Sequence, residues 1–289
     1  MLPAFGMSDK GDDAGDARRL VTVMRRLLGE GGCPWDREQT LVTLKRYAVE
    51  EAFEVCDAID GLGLDGERTV LSEGPPSRGP DDAAVQHLRE ELGDLLLQVI
   101  FQSELARTWG WFGLGAVVDG ICDKLERRHP HVFGDASVSG AGEVIANWEK
   151  IKLAEKVGRG ALEGIPRGLP ALLYALRMGD KASRVGFDWP DAAGPRAKVD
   201  EELRELDEAL ASGDRGAAVH ELGDLLFSVV NLARKHGLDP EDALSRANRR
   251  FASRFATVEA RAKASGGAID QHDLAQLDAW WDEAKAAEG

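Results

Sequence analysis

Apolar residues recur along this chain at helical spacing and nowhere alternate for long, so the pattern predicts helices and no sheet. The first helix is expected at 17–28, ARRLVTVMRRLL, where Leu20, Val23, Met24, Leu27 and Leu28 share one side. Others are expected at 43–59, 85–108, 114–128 and 142–157, and then at 172–185, 197–210, 217–236, 240–264 and 273–287. The runs 95–101 and 225–230 are apolar all round and read as core. Breakers separate these segments: GEGGCPWD at 29–36, a Gly- and Pro-rich loop at 61–82, and a Gly/Pro-marked linker at 158–170. The first 16 residues lack the pattern and read as a disordered tail.

The pattern runs through the chain twice. E-E-x-x-E at 50–54 is answered at 201–205, and E-L-G-D at 91–94 at 221–224. The interval between the two motifs is longer in the first copy because of the loop at 61–82. Asp123–Arg128 parallels Ser245–Arg250, and Trp148-x-x-x-Lys152 parallels Trp281-x-x-x-Lys285. Agreement in order, type and spacing implies two copies of one all-helical unit, at 17–157 and 171–289.

Composition narrows the function. With 43% hydrophobic and 30% charged residues the chain reads as a globular protein. A net charge of -15 argues against a nucleic-acid binder, whose footprint is usually basic. An anionic substrate stays open, because a bound metal reverses the local sign. Cys33, Cys56 and Cys122 are far apart, with no CxxC, so neither a zinc knuckle nor a disulfide framework is expected. No leader pattern and no apolar run of about 18 residues occurs, so the expectation is a cytoplasmic protein without a membrane span.

The chemistry sits in the acidic pairs. In the second copy these are Glu202 with Glu205 and Glu221 with Asp224, each three residues apart. On a helix that spacing puts both members about 60° apart on one face. The short turn-forming connection ASGDRG at 211–216 makes the two helices antiparallel neighbours, so four carboxylates should converge across their groove. Such like charge among Leu203, Leu206, Leu222, Leu225 and Leu226 calls for a cation, and oxygen ligands suit Mg²⁺ or Mn²⁺. Arg250 and Arg254, four apart, suit phosphates; Trp281 suits a base, and Lys285 one turn on a further phosphate. Together these describe metal-assisted hydrolysis of a phosphoanhydride.

The combination resembles the MazG family of nucleoside triphosphate pyrophosphohydrolases. The resemblance rests on E-E-x-x-E and E-L-G-D-L-L-F in duplicate, G-C-P-W-D, K-L-E-R-R-H-P-H-V-F, N-W-E-x-I-K and V-G-F-D-W. It implies an all-α fold of four-helix-type units assembled by homodimerisation, Mg²⁺ dependence, broad base tolerance and conversion of NTP and water to NMP and diphosphate. It places metal ligands at Glu202, Glu205, Glu221 and Asp224, and substrate contacts at Arg250, Arg254, Trp281 and Lys285. Arg250 stands where relatives also have Lys. In the first copy the ligands fall on Glu51, Glu54, Glu91 and Asp94, and the contacts on Arg128, Trp148 and Lys152. There Val132 replaces the second arginine, so the second copy is expected to be the main active site.

Other readings are weaker. A di-iron bundle needs E-x-x-H from two helices, and only Glu126–His129 fits. A sibling pyrophosphohydrolase for dUTP or phosphoribosyl-ATP fits the acidic pairs, but tandem copies with G-C-P-W-D and H-P-H-V-F favour MazG. A non-catalytic interaction module leaves the repeated carboxylate spacing unexplained. Trp35 and Trp189 are expected to pack at matching turns, with bordering a nucleotide as the alternative for the first-copy loop, and His129 and His131 to shape a helix end. Gly93 and Gly223, each costing about 1 kcal/mol within a helix, suggest close helix approach or a tolerated loss.

Overall fold

The computed structural model describes residues 13–64, 81–155 and 160–287. The chain divides into two compact units, Met1–Glu155 and Lys156–Gly289. Among the described residues there is no strand. The protein is all-α, as the helical spacing predicts. The expected tail up to residue 12, residues 65–80 of the expected loop and 158–159 of the expected linker lie outside the described residues.

The first unit runs α1 (Asp13–Leu28), α2 (Pro34–Glu38), α3 (Leu41–Gly61), α4 (Asp82–Thr108), α5 (Leu114–Arg128), α6 (Pro130–Phe133) and α7 (Ala141–Ala154). Helix α1 starts at Asp13, so the expected tail gives way to helix before residue 17. The loop expected at 61–82 is entered one residue late, since α3 extends through Gly61, and α4 already begins at Asp82. Helix α3 starts on a reciprocal cap: Thr40 Oγ1 accepts from Thr43 N, and Thr43 Oγ1 accepts from Thr40 N. Asp81 caps α4 by accepting from Ala84 N. Helices α3 and α4 pack side by side, with α1 against α4. Met24, Leu44, Ile100, Phe101 and Leu105 form the core between them.

The second unit runs α8 (Ala171–Arg184), α9 (Ala193–Ser212), α10 (Arg215–Lys235), α11 (Pro240–Ala264) and α12 (Leu274–Ala287). Gly213 ends α9 at φ 73°, a conformation that glycine adopts without strain. Asp214 then caps α10 by accepting from Gly216 and Ala217, so α9 and α10 fold back as a tight hairpin. Helices α8 and α11 flank α10, and α12 lies on α11.

The apolar runs are only half core. Ile100, Phe101 and Val230 are buried, but Leu96, Val99, Leu226, Phe227 and Val229 are exposed. A helix apolar all round needs cover on every side, and its neighbours within each unit supply it on one. Close helix approach does not explain Gly93 and Gly223 within either unit, since a Cβ at either position would meet open space.

One ion pair dominates each unit. In the first, fully buried Glu104 accepts from Arg25 Nε at 3.0 Å, Arg25 Nη2 at 3.2 Å and Arg107 Nε at 2.6 Å. In the second, Asp188 holds Arg234 through both carboxylate oxygens and Lys235 Nζ at 2.7 Å. Hydrogen bonds from Arg234 outweigh burial there, and with Lys235 hold the Asp188 carboxyl well below the usual carboxylate range. This network ties the connection between α8 and α9 to the end of α10. Asp188→Asn is expected to lower the stability of the second unit by about 1.5–3 kcal/mol, the worth of a hydrogen bond to a charged group. Urea unfolding followed by circular dichroism reads that loss.

Candidate active site

In the first unit, α3 supplies Glu51 and Glu54, and α4 supplies Glu91 and Asp94. Carboxylate oxygens of Glu51, Glu54 and Glu91 lie within 4.8 Å of one another, so the group spans the two helices. Burial raises the Glu51 carboxyl, as do a hydrogen bond with Glu54 and the nearby charges of Glu54, Asp94 and Glu91. The other three expected ligands therefore all bear on Glu51.

In the second unit the acids gather along each helix. Glu201, Glu202 and Glu205 on α9 form one group, and His220, Glu221 and Asp224 on α10 form another. Among the described residues no such group spans α9 and α10, unlike the expected convergence of four carboxylates. Each of these groups has a basic side chain of its own helix beside it. Lys198 pairs with both Glu202 and Glu201, and His220 Nδ1 stands 3.0 Å from Asp224 and 3.6 Å from Glu221. Glu202 is 5% exposed, beside the Lys198 ammonium.

His220 was not singled out from the sequence, nor was His87, whose Nδ1 lies 3.2 Å from Glu91. Each stands four residues before an acid of E-L-G-D, and that helical spacing was the available signal.

The cationic and aromatic residues also assemble. In the second unit the Arg254 guanidinium carbon sits 5.8 Å from the Trp281 ring centre, and Trp281 packs on Phe251 at 5.0 Å. Arg250 and Lys285 are exposed on α11 and α12. In the first unit Lys152 Nζ lies 4.0 Å and Arg128 Cζ 5.8 Å from the Trp148 ring centre. Arg128 is also bound by Glu155, which it holds with Arg127 at about 2, far below an ordinary carboxyl. Val132, in place of a second arginine, is exposed.

The remaining expectations resolve simply. His129 closes α5 and opens α6, with Nδ1 2.7 Å from Leu125 O. Trp189 lies so close to Gly194 that a Cβ there would stand 2.1 Å from its Cδ1. Trp35 is 52% exposed and meets Tyr47 edge-on at 6.0 Å, so it packs less fully than its counterpart.

The donor set is nearly all carboxylate oxygen, which fits a hard divalent cation. Crowded like charge at Glu51 fits it too, since a cation relieves what protonation otherwise relieves. Acidic clusters on paired helices, with a cation-topped tryptophan in the same unit, define a class of all-helical enzymes acting on phosphoanhydrides. Residues 39–133 match the MazG nucleotide pyrophosphohydrolase domain, and residues 187–251 match the phosphoribosyl-ATP pyrophosphohydrolase model. The chain is 41% identical over 279 residues to the nucleoside triphosphate pyrophosphohydrolase of Escherichia coli K12, covering 93% of this chain and 97% of that protein. It is 40% identical over 271 residues to the Thermotoga maritima nucleoside triphosphate pyrophosphohydrolase/pyrophosphatase MazG, covering 93% and 95%. It is also 38% identical over 270 residues to the uncharacterized protein YabN of Bacillus subtilis, covering 92% of this chain and 51% of that one. The chain belongs to the MazG family of nucleotide pyrophosphohydrolases, and is a hydrolase of phosphoanhydride bonds.

Proposed function

We propose that this protein hydrolyses nucleoside triphosphates to NMP and diphosphate, with broad base tolerance, as a Mg²⁺-dependent cytoplasmic homodimer that limits aberrant or excess nucleotides. The observation that carries the reading is the repeated acidic grouping on paired helices, with a cation-topped tryptophan in each unit. Glu202, Glu205, Glu221 and Asp224 would hold the metal in the second unit, and Glu51, Glu54, Glu91 and Asp94 in the first. Mn²⁺ is the natural substitute. When bound, the ion supplies charge neutralisation at the phosphates and acidifies water.

The chain's own residues do the rest. Arg250, Arg254 and Lys285 grip the phosphates, and Trp281 stacks on the base, which tolerates any base because each has a π-face. A carboxylate not engaged with the ion accepts a proton from the attacking water. The water oxygen bonds to the α-phosphorus, and the bond to the bridging oxygen breaks, releasing diphosphate. The second unit is the better candidate for turnover: it carries both Arg250 and Arg254, whereas Val132 stands at the place of the second arginine in the first.

Dimerisation is supported by matching exposed rows, Leu92, Leu96 and Val99 on α4 and Leu222, Leu226 and Val229 on α10. Each row stands beside acidic residues of its helix, where a second copy would complete a four-helix bundle. Among the described residues no helix is long and apolar enough to cross a membrane.

The test is product analysis with a panel of NTPs and Mg²⁺. Diphosphate and NMP in equal amounts support the reading, and orthophosphate release would move the cleaved bond. Mg²⁺ should also raise the thermal midpoint, by about 2.7 kcal/mol of stability at a hundredfold excess over Kd. Acidification should shrink that gain, because the raised Glu51 carboxyl must lose its proton before it ligates. A midpoint unmoved by Mg²⁺ at neutral pH would count against metal binding.

A further inference from the structure

Gln98 of α4 is a buried polar side chain outside the expected ligand sets. It is 7% exposed, and among the described residues no group donates to its Oε1. A buried acceptor left unpaired costs free energy that a hydrogen bond would recover. Its place on the helix says what could supply one. Along α4, Glu91, Asp94 and Gln98 lie within about 60° of one another, so Gln98 stands one turn, about 6 Å, behind Asp94 on the same side.

That side faces α3. Glu54 groups with Glu91, the charge of Asp94 bears on Glu51, and Leu44 shares the core with Phe101 and Leu105. Positions 91, 94, 101 and 105 of α4 thus answer 54, 51 and 44 of α3. Gln98 lies between the two sets, beneath the acidic group and above the apolar core. Neither set satisfies it. Ionised carboxylates only accept hydrogen bonds, and the core side chains have no donor.

A neutral amide suits this place better than a further acid. It offers an acceptor without adding to the crowded charge around Glu51. A hard divalent cation held by those carboxylates keeps part of its water shell, Mg²⁺ above all, and water donates. A turn's separation from Asp94 suits contact through such a water rather than direct ligation.

The second unit differs here. By the register of E-L-G-D, Gln98 answers Ser228, which is also buried. A serine oxygen sits directly on Cβ and reaches less far towards the acids than a glutamine Oε1. Among the described residues, the long acceptor accompanies the one acidic group that spans two helices.

We propose that Gln98 is a positioning residue of the first unit, whose Oε1 accepts a hydrogen bond from a water of the bound divalent cation and so fixes the ion's shell against α4. The inference deepens the metal reading of the same carboxylates and rests on it.

The experiment counts free Mn²⁺ by its electron paramagnetic resonance signal as the full chain is titrated. The parent chain carries Glu205→Gln and Glu221→Gln, so that tight binding reports the first unit, and Glu51→Gln added to it should abolish that binding. Gln98→Met keeps the length of the side chain and removes the acceptor. It should weaken Mn²⁺ about tenfold, the lower end of what a lost outer partner costs. Gln98→Glu keeps an acceptor oxygen and should bind at least as tightly as the parent. In EDTA the Gln98→Met chain should melt about 3 °C above the parent, because an unpaired buried acceptor is gone. A lower midpoint would show that Oε1 already has a partner and would overturn the proposal. So would a Gln98→Met chain that binds like the parent, or a Gln98→Glu chain weakened as much as Gln98→Met. If the parent binds no Mn²⁺ that Glu51→Gln removes, the metal reading of the first unit fails and this inference fails with it.

Discussion

Glu205→Gln is expected to abolish diphosphate release, while Glu54→Gln leaves most of it. Glu205 lies on α9 within the Glu201–Glu202–Glu205 group, and the amide keeps its shape while removing a negative ligand. A metal contributes several kcal/mol of charge stabilisation in such a transition state. At about 1.4 kcal/mol per tenfold, losing it costs about a hundredfold or more in rate. Asymmetry between the copies follows from the clamp, since Arg254 stands with Trp281, whereas Val132 occupies its place in the first unit. The first unit nonetheless gathers its group across two helices, which makes the pair of variants decisive. Initial rates of diphosphate release, with each variant's fold checked by its melting curve, measure the effect. Loss confined to Glu54→Gln would move the chemistry to the first unit while keeping the reaction.

Glu104→Ala is expected to cost the first unit about 3 kcal/mol, because it removes the buried partner of two arginines. For a unit of this length, at about 3 °C per kcal/mol, its thermal midpoint should fall by about 9 °C. The arginines are about half exposed and regain water, which keeps the cost from being larger. Acid should act in the same direction. Burial alone would push the Glu104 carboxyl up, but hydrogen bonds from Arg25 and Arg107 outweigh it and hold it below its ordinary 4.5. Its stabilisation is therefore complete above that pH and is lost as pH falls through the folded value. The first unit's midpoint should drop on acidification below 4.5, and more steeply in wild type than in Glu104→Gln. Equal slopes would show that the carboxylate is not the group being titrated.

Much of the molecule was legible along the chain. Helical spacing located every long helix, because a half-buried helix must repeat its apolar side every three to four residues. The short helices Pro34–Glu38 and Pro130–Phe133 escaped, being too brief to show a period. The acidic pairs were readable for the same reason as the helices, since three-residue spacing fixes which side chains share a face. That spacing, repeated in both halves, led to the family that the full-length relatives then established.

The tertiary structure decided what spacing cannot express. Whether paired acids meet across a groove depends on where their side chains settle: in the second unit Glu202 pairs with Lys198 and Asp224 stands by His220, each on the acid's own helix. Which apolar positions are covered depends on how many helices surround them, so Leu96 and Leu226 stand exposed in runs that read as core. The partners of Glu104 and Asp188 come from segments remote in sequence, and the exposure of Trp35 depends on what packs there. A sequence sets the periodicity of one helix by local geometry, but contacts between helices depend on three-dimensional packing and competition among partners.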